Sequence, residues 1–183
     1  LTDSDRAFLR TLEETEPRPL SPGMRILFTG VPSAISLWLL GDSLTTGDYS
    51  VGCLEDAPGS QFGGQADPLG SLRQRVLEIG LWRPEFAQRL ATVPGHLGAE
   101  RFGLGQRDLE SLAANVDAVV HSGVNMNLAQ TYQYLHPVNI EGTRQCLRFC
   151  CEGRLKPVHY QSSLAVIDQI FVEDDAAPFK EDM

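Results

Sequence analysis

Arg25–Ser36 reads R-I-L-F-T-G-V-P-S-A-I-S, an apolar run that meets a glycine and passes directly into a segment with helical patterning. The spacing predicts a first strand over Ile26–Thr29, a tight turn at Gly30 and a first helix over Ala34–Leu44. In a dinucleotide-binding unit such a turn brings backbone N–H groups against a pyrophosphate, which needs glycines wherever a side chain would block the approach. Thr-Gly-x-x-Gly-x-x-Gly would meet that need. Here Thr29-Gly30 is followed by Ser33 and Ser36 where the other two glycines would stand, with Pro32 between.

Outward from this unit the alternation of strands and helices continues. Ile35, Leu37, Trp38, Leu39 and Leu40 lie close together as in a buried helix, with Trp38 and Trp82 expected to be packing residues. A second strand is expected over Tyr49–Leu54, then a loop over Ala57–Pro68 and a helix with Leu69, Leu72, Val76 and Ile79 that stops near Gly80. Leu90–Val93 reads as a strand and Asp108–Asn115 as a short helix. Val116–His121 has little polar alternation, as expected of a strand covered on both faces. Asn139–Glu152 is expected to be a helix with Ile140, Thr143, Leu147 and Cys150 or Cys151 on one side, ended by Gly153. Pro157–Gln161 is the last clear strand, followed by Ser162 and Ser163. Such spacing implies right-handed crossovers and a parallel sheet of about five strands in the order 3-2-1-4-5, with Ile26–Thr29 and Val116–His121 adjacent at its centre. The fold class is α/β, a Rossmann-like three-layer sandwich. Residues 1–23, with the amphipathic Asp5–Glu14 and the breakers of Pro17–Gly23, read as an arm or linker; residues 24–172 form the domain; residues 173–183 are an acidic tail.

Composition narrows the function. At 183 residues and 42% hydrophobic content the chain is one ordinary domain. A net charge of −9 and a pI near 4.8 argue against nucleic acid as a partner, because phosphate binding draws on clustered Lys and Arg. Without an 18-residue apolar run or a signal-like segment, no membrane partner is expected and the cytoplasm is the expected compartment. Cys53, Cys146, Cys150 and Cys151 lack the paired spacing of a zinc site and read as buried, reduced thiols. His121 and His159, at the edges of apolar strands, read as hydrogen-bonded structural histidines, and no metal site is predicted.

Several blocks together carry a more specific message: T-G-x-x-S-x-x-S, V-G-C-L-E-D-A, E-I-G-L-W, A-E-R-F-G-L, V-D-A-V-V-H-S-G, N-I-E-G-T-R and K-P-V-H-Y-Q-S-S-L-A-V. From about Arg25 to Val172 the chain resembles the terminal thioester reductase domains of modular peptide and polyketide synthases, within the extended short-chain dehydrogenase/reductase group. The resemblance implies a Rossmann-type domain that releases a carrier-bound acyl or peptidyl chain as an aldehyde or alcohol with NADPH. Carried over by position, Thr29, Gly30, Ser33 and Ser36 match the nucleotide turn. Asp56, beside Glu55, takes the place of the arginine that holds the 2′-phosphate. His96 takes the place of the aspartate beside the adenine. His121-Ser122-Gly123 replaces a His-Asn-Gly segment near the nicotinamide, and Ser163 matches the catalytic Ser or Thr. No Tyr-x-x-x-Lys occurs in the sequence, and the substrate subdomain of the family has no counterpart in it.

These departures imply a degenerate, truncated reductase-like domain that holds no cofactor and serves as a structural or docking element toward neighbouring synthase domains or a carrier protein, or by self-association. Two alternatives follow from the same resemblance. One is the nucleotide-binding part of a working thioester reductase using NADP or NAD. The other is a redox-independent cyclase or release enzyme acting on a carrier-bound chain. The apolar stretch Ser163–Phe171 is the expected contact surface.

Overall fold

The computed structural model describes residues 21–31, 33–56 and 64–163. Five parallel strands form the sheet: β1 (Arg25–Thr29), β2 (Ser50–Glu55), β3 (Leu90–Pro94), β4 (Ala118–His121) and β5 (Val158–Tyr160). Their order is β3-β2-β1-β4-β5, as the spacing of the elements implied. Registers such as Phe28 opposite both Cys53 and Val120 place β1 and β4 together at the centre. This is the Rossmann-like α/β architecture, with its topological switch point between β1 and β4.

Alternate residues of each strand point to opposite faces, so two separate cores form. Phe28, Val51 and Cys53 pack on one face with Leu40 and Leu44 of α1 (Ala34–Thr46), Leu72 and Val76 of α2 (Pro68–Glu78), and Phe86. Leu27, Leu54 and Val119 pack on the other with Leu109 and Ala113 of α3 (Gln106–Asn115), together with Phe102, Cys146 and Phe149. Each fully buried Leu, Val or Phe among them contributes roughly 1.5–3 kcal/mol. Cys53, Cys146 and Cys150 are buried and free, with Cys151 half-buried, as the sequence suggested. Buried Lys156 donates to the carbonyls of Glu152 at 2.6 Å and Arg154 at 3.0 Å, fastening the turn that leads into β5.

Three local expectations need correction. First, α1 is not buried all round: Ser36, Leu37, Leu40, Gly41 and Leu44 face the sheet, while Ile35 and Trp38 are each 56% exposed. A helix on one face of a sheet needs only one apolar stripe, and the density of apolar residues here exceeds that stripe. Trp82, in contrast, does pack, edge-on to Phe86. Second, the helix expected from Asn139 begins earlier: α4 (Tyr132–His136) runs through a π-helical turn (Pro137–Glu141) into α5 (Gly142–Cys150). Pro137 has no N–H to continue the helical ladder, and the Gly142 N–H bonds its carbonyl five residues back. Third, α5 turns Gly142, Cys146, Phe149 and Cys150 to the sheet, leaving Ile140 and Leu147 exposed. The expected contact stretch beyond Ser163 lies outside the described residues, as does most of the N-terminal arm and the acidic tail. Among the described residues no helix is long and apolar enough to cross a membrane.

Gly30 holds the centre of the sheet together. Its φ is +80°, and a Cβ there would lie 2.4 Å from the Gly123 Cα and 2.5 Å from the Ser122 carbonyl carbon. Both the backbone conformation and the approach of the chain after β4 therefore require glycine. Gly30→Ala should lower stability by about 2–4 kcal/mol in urea denaturation, from left-handed strain and overpacking combined; a loss below about 1 kcal/mol would show that β1 and β4 are not so closely apposed.

Candidate functional site

In an open parallel sheet, ligands bind outside the carboxyl ends of the strands at the switch point. That edge is where most of the singled-out residues meet. Thr29, Gly30, Ser33 and Ser36 follow β1, and Ser122 and Gly123 follow β4, with the Ser122 N–H donating to the Thr29 carbonyl at 3.1 Å. Asp56 follows β2 and His96 follows β3. Ser163 comes three residues after β5 and is exposed.

The nucleotide turn is closed upon itself. Ser33 caps α1, its Oγ accepting from the Ser36 N–H at 3.2 Å. The Ser36 hydroxyl donates to the Gly30 carbonyl at 3.2 Å and lies 2.6 Å from Ser33 Oγ, so the Ser33 hydroxyl is the donor in that pair. The Ser33 N–H also returns to the Gly30 carbonyl at 3.2 Å. Ser36, where a glycine would let helix and strand pack closely, is wholly buried. The Ser33 hydroxyl thus takes up one helix-terminal amide that a bound anion would otherwise satisfy, and the Ser36 hydroxyl takes up the Gly30 carbonyl. The Ser33-x-x-Ser36 spacing is that of an N-cap and the amide it receives, a signal present in the sequence.

At the neighbouring corner Asp56 and His96 are paired, Oδ1 to Nδ1 at 2.7 Å. Burial, aided by the Asp56 charge, pushes Glu55 up to about 7. Sequence reasoning placed Asp56 and His96 separately and missed their bond, because their elements lie far apart in the chain and meet only through the β2–β3 pairing.

His121 is the structural histidine that the sequence suggested, and it does more than fill space. Thr143 Oγ1 donates to the Asn139 carbonyl at 2.8 Å, so it accepts from His121 Nε2–H at 3.0 Å. Nδ1 is then the acceptor for the Thr29 hydroxyl at 2.6 Å. Both ring nitrogens of the neutral form are satisfied, and burial pulls the pKa down to about 4. Cys146 Sγ lies 3.6 Å from Nδ1, and burial pushes its thiol up to about 12. Thiol and imidazole are both neutral, so the pair lacks the thiolate–imidazolium character of a nucleophile. Ser122 Oγ is buried without a hydrogen-bond partner among the described residues. His159 is exposed on β5.

For a nicotinamide dinucleotide these residues are a poor match. The turn spends its own amide, the second glycine position carries a side chain, and the β2 end is acidic where a 2′-phosphate would lie.

Fold and edge together define a Rossmann-type domain. The chain belongs to the male sterility protein family of NAD-binding domains, whose model matches residues 64–181, downstream of the nucleotide turn. An aldehyde reductase of Aspergillus flavus is 37% identical over 142 residues, 77% of this chain and 14% of that protein. A non-canonical nonribosomal peptide synthetase of Aspergillus hancockii is 34% identical over 142 residues, 77% of this chain and 13% of that protein. The terminal R domain of the myxalamid PKS-NRPS pathway has the same fold with a TM-score of 0.73 at 28% identity, covering 85% of this chain and 39% of that one. The family resemblance is thereby confirmed: the chain is homologous to terminal reductase domains of modular synthases, and it spans a small part of its relatives' length.

The buried groups make opposing contributions to acid stability. His121 falls from an ordinary 6.5 to about 4, so the unfolded chain binds the extra proton in that window and stability drops as pH falls from 6.5 to 4. Glu55 rises from 4.5 to about 7, so the folded chain binds the extra proton and stability grows as pH falls from 7 to 4.5. The urea midpoint of the parent should therefore change little across the shared window. Glu55→Gln should uncover the histidine, with stability falling by on the order of 3 kcal/mol between the two His121 values. A flat profile in that variant would mean that His121 is not held neutral.

Proposed function

We propose that this chain is a thioester-reductase-like domain that no longer holds a nicotinamide dinucleotide and serves a modular synthase as a structural or docking element. The observation that carries the reading is the hydrogen-bonded pair of hydroxyls at Ser33 and Ser36, which takes up the Ser36 amide and the Gly30 carbonyl without a ligand. The acidic corner supports it, since Asp56 stands where a 2′-phosphate would lie, beside a Glu55 whose carboxyl is already pushed up to about 7 by burial and by the Asp56 charge. Kinship with a nonribosomal peptide synthetase supports the synthase setting. The folded body keeps two well-packed cores while the edge that would receive a cofactor has changed, the pattern of a domain valued for its surface.

Calorimetric titration with NADPH and with NADH tests this. Neither should show saturable binding tighter than about 1 mM, equivalent to only about 4 kcal/mol. Micromolar affinity for NADPH would overturn the proposal in favour of a working reductase. Micromolar binding of NADH alone would also overturn it and assign Asp56 to a ribose hydroxyl.

A further inference from the structure

Leu27, Gly52 and Ala91 stand opposite one another across β1, β2 and β3, on the face that packs against α3. Leu27 is buried there, but Gly52 is half-buried and Ala91 exposed, so the helical cover stops short of β3. The result is a groove of about 250 Å³ toward the amino edge of the sheet, bounded by this row, by Val93 of β3 and by Leu112 of α3. That volume falls below the roughly 300–1,000 Å³ of small-molecule sites and suits the apolar side chains of a chain segment. Arg25 and Arg89 flank the groove, and no carboxylate lines it. Arg25 Nη1 donates to the Asn115 side-chain carbonyl at 2.6 Å, and the guanidinium has no ion pair among the described residues.

We infer that this groove is the seat of the chain's own amino-terminal arm, with Phe8, Leu9 and Leu12 as the side chains that enter it. Residues 1–20 lie outside the described residues, and the groove's position, reach and charge all point to them. The chain enters β1 at this end of the sheet. The Gly23 N–H donates to the Asp48 carbonyl at 2.7 Å and the Ser50 N–H to the Met24 carbonyl at 3.0 Å, which sets the arm's junction beside the start of β2. Phe8, Leu9 and Leu12 are spaced as one apolar stripe within the amphipathic stretch 5–14. Residues 15–20, which include Pro17 and Pro19, span roughly 19 Å when extended at about 3.1 Å per residue. From β1 to β3 is two strand spacings, about 10 Å, so the stripe reaches the groove. Glu13, Glu14 and Glu16 follow the stripe and bring carboxylates to a mouth that holds guanidinium and no carboxylate. The chain beyond Ser163 starts instead from β5, at the far edge of the sheet and its carboxyl end. The inference is independent of whether the domain holds a cofactor.

Nuclear Overhauser spectroscopy of the whole chain tests the inference. Cross-peaks should join the Phe8 ring to the methyl groups of Ala91 and Leu112. Ala91→Trp, which fills the groove from an exposed position of the edge strand, should abolish them. It should also speed tryptic cleavage after Arg10 at least about tenfold, since cleavage follows the released population. Phe8→Ser combined with Leu12→Ser lies outside the sheet, so it should release the arm to the same degree even where Ala91→Trp disturbs β3. Leu77→Ser, at an exposed position of α2 on the other face, should change neither the cross-peaks nor the cleavage. A Phe8 ring that contacts another part of the domain, or no part of it, would overturn the inference. So would an arm cleaved equally fast in the parent and in the serine pair, or cross-peaks that arise only between differently labelled copies of the chain.

Discussion

The contact between Gly30 and the Ser122–Gly123 backbone is the constraint on which the centre of this molecule depends. β1 and β4 run parallel, and their carboxyl ends converge until no side chain fits between them. Thr29 then reaches His121, and His121 reaches Thr143, so strand, strand and helix are tied by two side-chain hydrogen bonds at the point of convergence. This gives Gly30 a structural reason to persist that has nothing to do with a phosphate. Ser33 and Ser36 carry side chains in the same turn, Ser36 wholly buried, and their hydroxyls are accommodated by bonding to each other and to the Gly30 carbonyl. The glycine that builds the sheet remains and the positions that would admit a ligand have changed.

Serine at these two positions also has a cost that the turn must recover. A buried hydroxyl without a partner is unfavourable by a few kcal/mol, and Ser36 is wholly buried. Its hydrogen bonds to the Gly30 carbonyl and to Ser33 remove that penalty. An anion coming to the same place would have to break this satisfied pair before making any bond of its own, and would meet the Ser33 side chain while doing so. The obstacle is therefore energetic as well as steric.

The sequence revealed the sheet well because parallel strands buried on both faces read as short apolar runs, and the order of such runs leaves few topologies. Val116–His121 and Ile26–Thr29 were legible as the central pair for that reason. The helix faces were less legible. Ile35, Trp38, Ile140 and Leu147 are apolar yet exposed, while Gly142 and Cys146 are small and buried, so hydrophobicity alone chose the wrong stripe on α5. Pro137 signalled an irregularity, but the helical extension back to Tyr132 depends on Thr131, whose side chain accepts from the Tyr134 N–H. At the candidate site the individual positions were legible and their partnerships were not. The Asp56–His96 bond and the threonine clamp on His121 join elements distant in sequence.

Charge divides the carboxyl edge of the sheet into two unlike halves. On the β2–β3 side, Glu55, Asp56 and His96 make a titratable corner in which burial already raises one carboxyl. On the β4–β5 side, the chain from Ala118 to Ile140 contributes no carboxylate, ammonium or guanidinium, and His121 beneath it is held neutral. A dinucleotide lying across the switch point would have to place phosphates near the acidic corner and a turn already satisfied. The same edge thus disfavours an anion at the β2–β3 end, where carboxyl groups already stand.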